Sequence, residues 1–164
     1  MRITQKRLKE LLSYDPATGL FTWIKSRSHG AAGCIAGTPH NTGYTYIGVD
    51  GRIYPAHRLV WLYVHGEMPS GELDHRNGIK TDNRFANLRL ASNSANGANK
   101  PVYKNNKCGL KGVHLHKPSG RWKAQIKKDG RVRHIGLFAC PTAAHMAYVS
   151  AAKRLHGEYA NAGS

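Results

Sequence analysis

Turn-forming residues interrupt this chain so often that it can build only short helices and small hairpins. Asp50-Gly51 and Asp129-Gly130 each separate two runs in which apolar and polar residues alternate, a strong signal for a β-hairpin. Pro118-Ser119-Gly120 separates another such pair of runs. Apolar residues recur at helical spacing in two longer stretches, 56–65 and 141–156. The pattern predicts an α+β chain made of small elements.

The predicted elements fall into three segments and one linker. Residues 1–53 form the first segment, with a helix that ends at the turn of residues 15–19. Short strands are predicted in this segment at residues 20–24, 43–49 and 52–54. Residues 54–100 form the second segment, which starts with the helix at 56–65 and closes with a short helix rich in Asn and Ala.

A basic polar linker, residues 101–107, precedes the third segment, residues 108–164. Alternating runs in this segment predict three strands, at residues 112–116, 121–127 and 131–137. The helix at 141–156 follows, with small apolar residues on one face and Gly157 at its end. We therefore predict a three-stranded antiparallel sheet packed on one helix.

The charge of the chain favours a polyanionic partner. Lys and Arg number 25 against 9 Asp and Glu, which gives a formal net charge of +16. Such a field attracts DNA or RNA, although an anionic membrane surface would suit the charge equally well. No apolar run is long enough to span a bilayer, and the N-terminus lacks the apolar core of a signal peptide. We therefore expect a chain that acts in the cytoplasm and is not inserted in a membrane.

Asp74 and His75 are the strongest candidates for chemistry. Adjacent side chains on a regular strand point to opposite sides, so both can serve one phosphate only at a twisted hairpin edge. A histidine suits the role of general base because its ordinary pKa is about 6.5. The Asp74 carboxylate suits Mg²⁺ or Mn²⁺, and Asn96 is a candidate for a second oxygen ligand. The simpler alternative is that these residues, with Asn77, Asn83 and Asn87, only shape turns.

The second segment resembles the HNH nucleases of phage and homing-endonuclease type. The resemblance rests on HRLVW, then G-x-x-P-x-G, then DHRNGIKTDNRFANLRLAS and N-x-x-N, in that order. It implies a ββα-metal fold over residues 54–100, with His75 as general base and one divalent ion held by Asp74 and Asn96. Asn87 would be the central Asn of the motif, whose carboxamide ties the hairpin together and helps to orient His75. The implied products carry a 5′-phosphate and a 3′-hydroxyl.

Basic residues flank this motif. Three of them are candidates for contacts with neighbouring phosphates, or are solvated charges of the hairpin: Arg76, Lys80 and Arg84. Asn83 and Asn93 lie close in sequence to Asn87 and Asn96 and could be mistaken for them in the motif. We assign Asn83 and Asn93 a supporting role. In the first segment Lys25, Arg27 and His29 are further candidates for contact with DNA, with structural support as the alternative role.

The third segment resembles the plant ethylene-response (apetala-type) DNA-binding domain. The matching stretches are GVHLHKPSGRWKAQIKKDGRVRHIGLF and PTAAHMAYVSAAKRLHGEYAN. Alternation predicts that Trp122, Ala124 and Ile126 pack on the helix. The opposite face would present to DNA the residues Arg121, Lys123, Gln125 and Lys127, with Arg131 and Arg133 extending the patch. If these side chains reach only phosphates, they supply affinity without sequence preference.

These features together predict a metal-dependent DNA endonuclease that acts on double-stranded DNA and needs no small-molecule cofactor. The expected source is a phage. A single active site per chain favours nicking unless two chains cooperate, and the resemblance to homing endonucleases suggests a homing-type nickase. The alternative is a non-catalytic, sequence-specific DNA-binding protein. A ribosomal or other RNA-binding module is a third option that charge alone suggests.

Overall fold

The computed structural model describes residues 3–26, 31–103 and 105–163. Arg27 and His29, two of the candidate DNA contacts, lie outside the described residues. The chain divides into two units, residues 1–90 and 91–164, and each is considered by itself. Within the part that the structure describes, no helix combines the length and the apolar character needed to cross a membrane.

The described residues of the first unit form two α-helices and three small sheets. Its elements in chain order are α1 (Gln5–Leu11), β1 (Leu12–Asp15), β2 (Leu20–Trp23), β3 (Thr38–Pro39), β4 (Thr45–Val49), β5 (Arg52–Pro55), α2 (Ala56–His65), β6 (Glu72–His75) and β7 (Leu88–Ala91). The sheets are β1-β2, β3-β4-β5 and β6-β7. The prediction of a mixed α+β chain with several small sheets is confirmed.

The predicted end of the first helix is wrong, because a strand lies between the helix and the turn at residues 15–19. Helix α1 ends at Leu11, and β1 continues directly from it to pair antiparallel with β2. The turn at residues 15–19 therefore closes a hairpin instead of a helix. The Asp15 carboxylate fixes this turn, because it accepts hydrogen bonds from the Ala17 amide at 2.9 Å and the Thr18 hydroxyl at 2.7 Å.

One apolar core joins α1, α2 and the small sheets of the first unit. Leu8 from α1, Phe21 from β2, Ile47 from β4 and Leu59 from α2 are buried in the same cluster, which extends to Leu88 on β7. This cluster spans the predicted boundary between residues 53 and 54. The buried apolar side chains described within residues 3–53 belong to the same cluster as those of α2.

The second unit contains a three-stranded sheet packed on one long helix, as predicted. Its elements are α3 (Asn93–Asn99), β8 (Val113–His116), β9 (Arg121–Lys128), β10 (Arg131–Phe138) and α4 (Pro141–His156). Both pairings in the sheet β10-β9-β8 are antiparallel. Ala124 and Ile126 of β9 are buried with Ala144, Tyr148 and other α4 residues.

Helix α3 belongs to the second unit, whereas the sequence pattern grouped it with residues 54–90. The Lys111 ammonium donates hydrogen bonds to the carbonyls of Ala98, at 2.6 Å, and Asn161, at 3.0 Å, and also to that of Lys100. The Asn161 carboxamide donates to the Asn99 carbonyl at 3.0 Å. These bonds satisfy carbonyls at the end of α3 and attach the helix to the C-terminal part of the chain.

Candidate active site

The loop between β6 and β7 is closed by the carboxamide of Asn87. Its Nδ2 donates to the Asn77 side chain at 3.0 Å and to the Asp82 carbonyl at 2.8 Å, while its Oδ1 accepts from the Asn77 amide at 3.1 Å. The Asn87 carbonyl also accepts from the Arg76 amide at 2.8 Å. Because Asn87 is buried, these bonds are shielded from water and hold the loop in one conformation.

His75 lies at the end of β6 and is 4% exposed. Its Nε2 is 3.1 Å from Oδ1 of Asn83, a carboxamide oxygen that can only accept. Nε2 therefore carries the proton, and the lone pair of the neutral ring is on Nδ1. Burial lowers the pKa of His75, and the hydrogen bond to Asn83 opposes part of that shift. A neutral imidazole with a defined tautomer is the form that a general base requires.

Two aromatic rings pack around His75. The His57 ring, from α2, is edge-on to it with 5.3 Å between centroids, and the Tyr44 ring lies 5.9 Å away. Tyr44 and His57 are themselves 5.0 Å apart. Burial lowers the pKa of His57 to about 4, and the charges of His75 and Arg58 contribute in the same direction. Nδ1 of His57 is buried without a hydrogen-bond partner among the described residues, so the ring is neutral and acts as packing surface.

Asp74 forms a buried ion pair with Arg89 of β7. Oδ2 of Asp74 accepts from Nε of Arg89 at 2.9 Å and from Nη2 at 2.8 Å, and each side chain is 6% exposed. The sequence suggested Asp74 as an ion ligand but did not suggest this guanidinium. The pair fixes the orientation of the carboxylate and places a positive charge next to it.

The donor chemistry of the predicted ligands fits a hard divalent ion. Mg²⁺ prefers oxygen ligands, and it is held by one or two protein oxygens while water and phosphate complete its shell. Asp74 is buried in the first unit, and Asn96 is half-buried on α3 of the second unit. Among the described residues, no three His, Cys, Asp or Glu side chains converge as a metal site. Asp74 and Asn96 include only one side chain of those types, so the predicted pair of oxygen ligands stays a prediction.

The three basic residues near the motif differ in their surroundings. The side chain of Arg84 is 51% exposed and pairs with Asp82 at 2.6 Å. This ion pair holds the pKa of the Asp82 carboxyl well below its usual range. Lys80 donates to the Thr42 carbonyl at 2.8 Å and lies over the Tyr44 ring. Arg76 is exposed at the start of the loop. To bind a phosphate, Arg84 would have to release Asp82, and Lys80 would have to release Thr42 and Tyr44.

The sheet of the second unit presents a basic face on the side opposite α4. Because β9 alternates, its four predicted DNA-contacting residues lie on this face: Arg121, Lys123, Gln125 and Lys127. Cross-strand partners share a face, and the register adds three histidines: His116 opposite Arg121, His114 opposite Lys123, and His134 opposite Gln125. We call these seven residues the outer face.

Arg131 and Arg133 do not extend the outer face. Arg131 pairs with Lys128 and Arg133 pairs with Ile126, so both share the side of the sheet that packs on α4. Both side chains are exposed there. The expectation that they continue the patch of Lys123 is therefore wrong in its geometry, because it did not account for the pairing set by the Asp129-Gly130 turn.

Three residues of the site were underestimated from the sequence. Asn83 supplies the acceptor for Nε2 of His75, although we assigned it only a supporting role. Arg89 and His57 were not singled out, although both are buried against predicted catalytic residues. A basic residue within the apolar run LRL was a signal for Arg89, because a charge enters such a run at a buried strand mainly when it has a partner.

A comparison with known protein families matches the segment that contains Asp74 and His75. Residues 54–98 match the model of the HNH endonuclease family. An HNH endonuclease domain is therefore present in this chain. A match to Protein 3.8 of Escherichia phage T7 has 33% identity over 76 residues, which is 46% of this chain and 63% of that protein. The chain thus spans under two thirds of this phage relative. No solved structure matches.

Proposed function

We propose that this protein is a metal-dependent DNA endonuclease in which His75 is the general base. The observation that carries the proposal is the buried His75 imidazole, whose Nε2 is held by Asn83 inside an HNH domain. That hydrogen bond keeps the basic lone pair on Nδ1. A neutral imidazole of this kind can take the proton of a water molecule as the water attacks phosphorus.

The chain's own residues have distinct roles in this hydrolysis. His75 accepts the proton of the attacking water. Asn87 holds the loop that follows Asp74 and His75. Asp74 and Asn96 are the oxygen ligands that the family resemblance implies. Mg²⁺ or Mn²⁺, when bound, would neutralise charge on the phosphate and on the leaving oxygen. The water oxygen bonds to phosphorus as the bond from phosphorus to the 3′ oxygen breaks. The leaving oxygen takes a proton from solvent water, which gives a 5′-phosphate and a 3′-hydroxyl.

The second unit would hold the enzyme on double-stranded DNA through the outer face. Its Arg, Lys and Gln side chains can contact phosphates and base edges, and the net charge of +16 favours the encounter. The match to a phage T7 protein supports a phage-encoded enzyme that acts in the cytoplasm of its host. One general base per chain suits a nickase of homing type.

One observation favours a second candidate, a DNA-binding protein without nuclease activity. The guanidinium of Arg89 already occupies Oδ2 of Asp74, and an adjacent positive charge weakens cation binding at a carboxylate. In such a protein, Asp74 and Arg89 would only stabilise the hairpin, and the outer face would carry the function.

Supercoiled plasmid distinguishes the two candidates. We expect nicking that requires Mg²⁺ or Mn²⁺, that stops with a chelator, and that is lost in His75→Ala. The matched control is His40→Ala, because His40 is an exposed histidine of the same unit whose ring bonds to Thr42 and packs on Tyr46, and which lies outside the sequence motif that contains His75. Ligation of the nicks without prior phosphorylation would establish the 5′-phosphate. Tight DNA binding without nicking in either metal would favour the second candidate.

A further inference from the structure

We infer that Tyr14 is a positioning residue for His75, acting through Asn83; this inference rests on the proposed role of His75 as general base. Tyr14 lies on β1, in the first segment, to which the sequence assigned no chemistry. It is separated by 69 residues from Asn83, to which its hydroxyl is bonded. The contact therefore depends on the fold of the whole first unit.

The Tyr14 hydroxyl forms two hydrogen bonds with the backbone around Asn83. It donates to the Asn83 carbonyl at 3.1 Å and accepts from the Phe85 amide at 2.9 Å. The hydroxyl thereby fixes the peptide groups on both sides of Arg84. Burial raises the pKa of Tyr14, so the hydroxyl keeps its proton and can serve as donor and acceptor at once.

The Tyr14 ring is itself held firmly. Its centroid is 5.2 Å from that of Phe21, its cross-strand partner, and 5.7 Å from that of Tyr63. All three rings pack against the core of the first unit. The hydroxyl is therefore presented by a rigid hairpin and has little freedom to follow movements of the loop.

The turn of the same hairpin supports the loop at a second point. Gly19 has a φ of +76°, and a Cβ built on it would lie 2.4 Å from the Arg84 nitrogen and 2.6 Å from the Asn83 carbonyl carbon. Only glycine permits so close an approach of two backbones. The hairpin thus contacts the Asn83–Arg84 peptide both through a hydroxyl and through direct packing.

Asn83 transmits this support to the imidazole. It is 3% exposed, and its Oδ1 is the acceptor 3.1 Å from Nε2 of His75. If its backbone shifts, the carboxamide moves with it and the hydrogen bond to Nε2 lengthens. The chain of contacts therefore runs from Tyr14 and Gly19, through Asn83, to the ring of His75.

The direct test is Tyr14→Phe in the full-length protein labelled with ¹⁵N-histidine. The His75 ring signals are assigned by their loss in His75→Gln. In the parent protein we expect an Nε2–H signal protected from exchange. In Tyr14→Phe that signal should broaden or disappear. In uniformly ¹⁵N-labelled protein, the Phe85 amide should exchange at least about tenfold faster, since it loses its acceptor. Tyr54→Phe, a half-buried tyrosine packed on the same core, is the control and should change neither.

A second pair of variants tests the packing contact. Gly19→Ala and Gly51→Ala impose the same backbone strain, because Gly51 has a φ of +74°, but nothing lies within 4 Å of a Cβ at Gly51. Only Gly19→Ala should perturb the His75 ring signals. Equal effects of the two variants would overturn the contribution of Gly19.

Cleavage kinetics separate this inference from the proposed function. If the protein cuts DNA, Tyr14→Phe should lower kcat about tenfold with little change in KM, because a small misplacement of a reacting group is costly. If the protein does not cut DNA, the ring signals still decide whether Tyr14 positions His75. Unchanged His75 signals in Tyr14→Phe, even with a lower melting temperature, would overturn the inference.

Discussion

Arg89 holds one carboxylate oxygen of Asp74 through two hydrogen bonds, and both side chains are almost fully buried. This pair has a consequence for stability that an exposed pair would not have. Because both side chains are buried, water solvates a remaining charge poorly when this pair is broken, which makes that charge unfavourable.

We predict that Arg89→Met lowers the free energy of unfolding by about 3–5 kcal/mol, the range typical for breaking a buried ion pair. The measurement is urea denaturation at neutral pH. Arg84→Met is the matched control, because Arg84 pairs with Asp82 at 2.6 Å but is 51% exposed, and its loss should matter far less. The double variant Arg89→Met with Asp74→Asn should recover part of the loss. Equal effects at Arg89 and Arg84 would contradict the prediction.

His57 should make the stability of the protein depend on pH in the acidic range. Its pKa is about 4 in the folded chain, against 6.5 when unfolded, so the unfolded state binds more protons between these values. Stability is therefore complete above pH 6.5 and falls as the pH decreases towards 4. The shift corresponds to a loss of about 3 kcal/mol, at 1.36 kcal/mol per pKa unit. In His57→Phe the decline in stability between pH 6.5 and 4 should be smaller.

Gly112 should tolerate no side chain. A Cβ at this position would lie 2.1 Å from a ring carbon of Tyr148, on α4, and φ is +75°. Gly109 has a similar φ of +68° but no atom within 4 Å of a Cβ, so Gly109→Ala measures the backbone strain alone. We predict that Gly112→Ala lowers the melting temperature well beyond Gly109→Ala, because the clash adds to that strain. Similar melting temperatures for the two variants would be inconsistent with the close packing of this sheet on α4.

DNA binding should distinguish the two sides of the sheet. Lys123→Gln with Lys127→Gln removes two charges from the outer face, and Arg131→Gln with Arg133→Gln removes two from the side of α4. We predict that the first pair lowers affinity and reduces the slope of log K against log salt by about two. The second pair should change the affinity and the salt slope much less. Titration of labelled duplex DNA at several salt concentrations measures the difference, and a larger loss from the arginine pair would reverse our assignment of the face.

Local sequence signals predicted the elements that end in clear caps or turns. Helix α2 has the predicted bounds because its apolar spacing is followed at once by Gly66, which adopts the left-handed cap conformation. The three strands of the second unit were located by the turns between them. The face of Arg131 was also within reach, because a two-residue turn at Asp129-Gly130 requires residues 128 and 131 to pair.

The contacts that complete the site could not be predicted in this way. Tyr14 meets Asn83 across 69 residues of sequence, and no local periodicity indicates such a meeting. The run LRL was a signal that Arg89 is buried, but its partner Asp74 lies 15 residues away, and no local pattern indicates that pairing. Helix α3 was grouped with the HNH motif by sequence, whereas Lys111 and Asn161 attach it to the second unit.

The attachment of α3 determines where this protein can be recombined with its relatives. A chimera joined within residues 101–107 would keep α3 but exchange Lys111 and Asn161 for whatever the donor chain carries there. The carbonyls of Ala98, Asn99 and Lys100 would then need hydrogen-bond donors from the sequence of the other protein. A graft that preserves these bonds has to begin before residue 91, so the helix that carries Asn96 would be inherited together with the three-stranded sheet and α4.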